Sequence, residues 1–90
     1  MKFDVYTDPG HGWVKVPLGL LERLGISDEV SHFSYMRGDY AYLEEDCDAT
    51  LFGEAMEKAG ITPEYRVYST NKQSRIRNYC HYFATKQEEA

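Results

Sequence analysis

Ninety residues, 42% of them hydrophobic and 14% aromatic, specify one folded domain with a single core, too small for a separate catalytic domain and too apolar for a disordered chain. The net charge of −5 argues against wrapping duplex DNA, and no apolar run approaches the ~20 residues that span a bilayer, which argues against a membrane role. Two cysteines are too few for a disulfide framework, and Met1-Lys2-Phe3-Asp4 carries no apolar leader, so a cytoplasmic protein is expected.

Phe3 and Val5 alternate with polar neighbours, as do Val14 and Val16, so two strands are predicted on either side of the break Thr7-Asp8-Pro9-Gly10-His11-Gly12. Pro17 suits a first helical residue, Leu20, Leu21 and Leu24 form an apolar stripe, and Gly25-Ile26 reads as a helix stop. Period-two alternation over 30–44, with Phe33 and Tyr35 on one face and Arg37-Gly38-Asp39 as the turn, predicts a second hairpin. Asp48 suits the cap of a helix carrying Leu51, Phe52, Ala55, Met56 and Ala59 and stopping at Gly60. A fifth strand follows over 65–68. Ile76, Tyr79, Cys80 and Phe83 recur at helical spacing behind a Thr70/Gln73 capping box, which predicts a last helix.

The order ββαββαβα predicts an α+β sandwich, an antiparallel or mixed sheet covered by helices, over residues 1–84, with 85–90 as a flexible polar tail. Thirteen aromatic residues exceed what so small a core encloses easily and predict a homo-oligomer.

The net charge hides a partition. Residues 65–87 carry five basic side chains and no acid, whereas 1–64 carry five basic and thirteen acidic ones. Lys72, Ser74, Arg75 and Arg77, interleaved with Tyr79 and Tyr82, have the composition of a small-anion site beside aromatic faces, helped by free amides if Thr70 begins a helix. Asp8, His11 and Trp13 sit in a loop set by proline and glycine and are candidates to recognise a base or ribose. The same Asp8–His11 pair suits a small hydrolase, although no activated Ser or Cys accompanies it and a non-enzyme is the leading expectation. Glu44, Glu45, Asp46 and Asp48 form an acidic junction suited to imitating nucleic-acid phosphates toward a basic protein. That run lacks calcium-loop spacing or a paired Cys/His pattern, so neither metal nor cofactor is expected.

Two resemblances accompany these readings. The run Trp13-Val14-Lys15-Val16-Pro17-Leu18-Gly19-Leu20-Leu21-Glu22-Arg23-Leu24-Gly25-Ile26 resembles the strand, proline and helix of swapped-hairpin transition-state regulators, although most of their DNA-facing basic residues are missing here. Tyr6-Thr7-Asp8-Pro9-Gly10-His11-Gly12-Trp13, Tyr40-Ala41-Tyr42-Leu43-Glu44-Glu45-Asp46-Cys47-Asp48 and Ser74-Arg75-Ile76-Arg77 before Tyr79 resemble small uncharacterised proteins of tailed bacteriophages. That resemblance implies an accessory viral protein acting in the bacterial cytoplasm, where anti-defence roles are frequent. The leading expectation is therefore a binder that sequesters a nucleotide-like immune signal. The alternative is an acidic inhibitor of a host nucleic-acid-binding complex, of the anti-CRISPR type.

Overall fold

The computed structural model describes residues 1–84 and has an α+β fold built on a six-stranded mixed sheet. Strands β1 (Lys2–Thr7) and β2 (Gly12–Pro17) form the first hairpin, helix α1 (Leu18–Arg23) follows, β3 (Tyr35–Arg37) and β4 (Tyr40–Glu44) form the second, and α2 (Asp48–Lys58) leads to β5 (Glu64–Ser69). The chain then makes a 3₁₀ turn at Arg75–Asn78 and a short β6 (Cys80–His81). The strands lie in the order β5-β1-β2-β4-β3-β6, antiparallel except for the β1–β5 pair.

Alternation divides the sheet into two faces. Val5 opposes Val14, Val14 opposes Leu43 and Val16 opposes Ala41, which puts these side chains on the helix-covered face with Phe3, Leu21, Phe52 and Met56. Both helices end as their glycines require: Gly25 and Gly60 take φ of 75° and 76°, and the next residue returns an amide to the last turn, Ile26 to Leu21 and Ile61 to Met56. Each isoleucine packs on the core as the apolar clamp of that motif.

Four local expectations change. Pro17 closes β2 and caps α1 from outside, with extended ψ of 137°, instead of starting the helix. Phe33 leaves the sheet, because residues 31–34 are drawn into a turn by Asp48. The Asp48 carboxylate accepts the Ser31 amide at 3.1 Å, the Ser31 hydroxyl at 2.7 Å and the Ser34 hydroxyl at 2.5 Å. Asp48 is consequently the first helical residue and Cys47 the cap, while Glu44 accepts the amides of Asp46 and Cys47 at 2.9 and 3.1 Å.

The fourth change is the last helix. The Thr70 amide continues the β1–β5 ladder to Thr7, the Thr70 hydroxyl accepts from Lys72 within a turn, and Ser74 caps the 3₁₀ turn by accepting from Ile76. Cys80 and His81 then pair with β3, so the helical spacing of Ile76, Tyr79, Cys80 and Phe83 coincides with a turn and a strand. The expected tail at 85–90 lies outside the described residues. Among the described residues no helix is long and apolar enough to cross a membrane.

Candidate functional site

The face away from the helices carries a row of aromatic side chains that follows from strand register. Tyr6 opposes Trp13 and Lys15 opposes Tyr42, so all four point away from Val5, Val14 and Leu43. Tyr68 stacks on Tyr6 at 5.6 Å, Tyr6 lies 6.5 Å from Tyr42, and Tyr79 meets Tyr42 edge-on at 5.1 Å. Ile76 from the 3₁₀ turn packs into this row beside Trp13 and Tyr42, forming a small second core.

The segment 70–79 folds over the row and encloses a cleft of about 740 Å³. Tyr6, Tyr42 and Tyr79 give it aromatic surface, and Lys15, Lys72 and Arg75 border it. Thr70, Gln73, Ser74 and Asn78 add polar groups, and no carboxylate side chain lines it among the described residues. Lys72 and Arg75 are exposed and have no ion-pair partner among the described residues, while Lys15 lies 4.3 Å from the centre of the Tyr40 ring. Burial raises the Tyr6 and Tyr42 hydroxyls above the ordinary tyrosine value, with the Asp4 carboxylate adding to the effect at Tyr6. Both hydroxyls therefore stay protonated near neutral pH, and that of Tyr6 donates to the Asp4 carboxylate at 3.4 Å.

What holds the covering segment is Asp8. Its buried carboxylate accepts two bonds from Arg77, at 2.7 and 2.9 Å, one from the Ser74 amide at 2.9 Å, and the Gly10 and His11 amides at 3.0 Å. The Arg77 guanidinium in turn lies 5.4 Å from the centre of the Trp13 ring. The Arg77 bonds, followed by the Ser74 amide, hold the Asp8 carboxyl far below the ordinary carboxylate range, against the smaller opposing effect of its burial. A β-carbon on Gly10 would come within 2.9 Å of the Arg77 guanidinium, so a glycine there lets the clamp close.

The residues singled out in the sequence therefore divide. Lys72, Ser74, Arg75 and Tyr79 come together at the cleft. Asp8, Trp13 and Arg77 support its wall: Asp8 and Arg77 neutralise each other, and Trp13 is buried beneath them. His11 is exposed beside Trp13, with ring centres 6.1 Å apart, and it meets Asp8 through its backbone, its amide donating to the carboxylate and its carbonyl accepting the Asp8 amide at 2.9 Å. That arrangement does not make an acid–base pair. Tyr82 is buried on the opposite face in the main core, where its hydroxyl donates to the Ser27 carbonyl at 2.6 Å.

The expected helix N-terminus at Thr70 is replaced by a turn, in which the Thr70, Lys72 and Ser74 amides are engaged by Thr7, the Thr70 hydroxyl and Asp8. Lys15 and Tyr6 were not among the expected site residues. Their shared face could have been read from period-two alternation, but the approach of segment 70–79 could not.

The acidic junction also divides. Asp48 is buried and engaged with Ser31 and Ser34. Partial burial raises the Glu44 carboxyl, but amide donation from Cys47 and Asp46 outweighs it and the net direction is downward. Of the four acids only Glu45 and Asp46 are fully exposed. Among the described residues no group of three or more His, Cys, Asp and Glu side chains is placed to hold a metal ion. No protein-family model matches the chain, and neither the curated proteins nor the solved structures contain a significant match.

Proposed function

We propose that the protein binds a small nucleotide-like anion in the cleft over its aromatic sheet face and sequesters it without turning it over. The observation that carries this reading is the lining itself: Lys15, Lys72 and Arg75 border aromatic surface, with no acid among the lining residues of a chain whose net charge is −5. An acidic protein that gathers cations around one concavity favours an anionic occupant, and about 740 Å³ is in the range of small-molecule sites. Lys72 and Arg75 hold phosphate, Arg75 with the option of two parallel bonds, while Tyr79, Tyr42 and Tyr6 offer ring faces or edges to a base. The resemblance to small phage proteins supplies the biological setting, the withholding of a nucleotide signal from bacterial defence.

Isothermal titration with nucleoside monophosphates and cyclic dinucleotides tests this. Binding of at least one phosphorylated compound is expected, with its unphosphorylated nucleoside much weaker. The Lys72→Ala/Arg75→Ala variant should lose at least about tenfold in affinity, since a hydrogen bond to a charged group contributes roughly 1.5–3 kcal/mol. Equal affinity of parent and variant would remove the site. Recovery of the compound hydrolysed after incubation would replace sequestration by catalysis.

A further inference from the structure

The two edges of the sheet are unlike. One is β6, only two residues long, which offers little to another strand. The other is β5, six exposed residues paired to β1 on one side and unpaired on the other. It holds no proline, lysine or break in register, and of its two charged residues, Glu64 and Arg66, the arginine is paired with Asp4 at 3.0 Å. Three of the seven large apolar side chains left exposed among the described residues lie on it: Tyr65, Val67 at 60% exposure, and Tyr68.

Backbone direction is fixed by the pairing with β1. The Glu64 amide donates to Met1 and the Thr70 amide to Thr7, so the even-numbered residues of β5 aim their backbone groups at β1. Alternation then turns the amides and carbonyls of Tyr65, Val67 and Ser69 outward. We propose that two copies of the chain pair antiparallel through β5 about a two-fold axis at Val67, joining their sheets into one.

In this register each outward amide meets an outward carbonyl: Val67 pairs with Val67 of the second copy, and Tyr65 with Ser69 in both directions. Side-chain chemistry selects the same register. Centring the axis on Arg66 would set two guanidinium groups face to face, which like charges disfavour. Centring it on Val67 sets Arg66 opposite Tyr68, a cation facing an aromatic ring, and buries the exposed valines against each other. Glu64 then faces Thr70, so no like charges meet directly across the pair. An axis normal to the sheet keeps both aromatic faces on one side, so the two clefts open in the same direction.

Sedimentation velocity of the full chain tests the interface. The parent should sediment near twice its 10.4 kDa mass. Val67→Pro removes the outward donor at the axis but no bond to β1, and it should yield a monomer with an unchanged far-ultraviolet spectrum. Val67→Lys, which sets two ammonium groups opposite each other, should weaken dimerisation at least about tenfold, with added salt restoring part of the loss. A parent that stays monomeric at every accessible concentration, or a dimer that neither substitution weakens, would overturn the proposal.

Discussion

Replacing Asp48 by alanine isolates the contact that converts a predicted strand segment into a turn. The carboxylate is 3% exposed and accepts the hydroxyls of Ser31 and Ser34 and the Ser31 amide, and Ser34, itself fully buried, accepts the Glu44 amide at 2.9 Å. A hydrogen bond to a charged group is worth roughly 1.5–3 kcal/mol, and its loss here strands a buried hydroxyl, so Asp48→Ala should cost about 3–5 kcal/mol. Against a stability of roughly 5–13 kcal/mol for a chain of this length, that lowers the melting temperature by at least about 12 °C. Urea unfolding followed by the fluorescence of buried Trp13 gives the value directly. A carboxylate at a helix start also interacts with the helix dipole, an effect of only about 0.3–1 kcal/mol, and a double-mutant cycle separates the two. Coupling of about 1–3 kcal/mol between Asp48→Ala and Ser34→Ala is expected. A cost below about 0.5 kcal/mol, or no coupling with Ser34, would refute the account.

The Asp8 carboxyl lies below its ordinary value in the folded protein, so its contribution is complete above an unfolded pKa of about 3.9 and is lost as pH falls further. Urea midpoints measured from about pH 6 down to pH 2 should therefore fall less steeply in Asp8→Asn than in the parent over the acid limb. Tyr82→Phe removes the bond to the Ser27 carbonyl and should cost about 1 kcal/mol in chemical denaturation while leaving nucleotide titrations unchanged, whereas Tyr79→Ala should weaken those titrations. Lys72→Ala and Arg75→Ala remove exposed cations with no ion-pair partner among the described residues, and each should move stability by less than about 0.5 kcal/mol in the same assay.

Elements signed by neighbouring residues were legible. The glycine stops at Gly25 and Gly60, the apolar stripe of α2 and the alternation of β1 and β2 are local patterns, and each has its expected counterpart. What escaped depends on partners distant in the chain. The turn at 31–34 is set by Asp48, seventeen residues beyond Ser31, and the conformation of 74–78 is held by Asp8, sixty-six residues before Ser74. Helical spacing in the last segment was a coincidence of side-chain order, because the Ser74 amide and the Arg77 guanidinium were already engaged elsewhere. Half of the cleft was visible as a run of cations. The other half, Tyr6, Lys15 and Tyr42, comes from three separate strands and needed the sheet order.

The parallel β1–β5 pair joins positions sixty-two residues apart, Thr7 to Ser69 and Asp4 to Arg66. During synthesis β1 leaves the ribosome long before its outer neighbour exists, so the hairpins and helices assemble while one flank of the nascent sheet stays open. Closing that flank requires most of the chain and is the slow step that topology assigns to non-local pairing. Arrival of β5 also brings the cationic segment within reach of Asp8. Ligand affinity should consequently emerge last in refolding, after secondary structure has formed, and a stalled nascent chain without residues 64–78 has neither the outer strand nor the lid of the cleft.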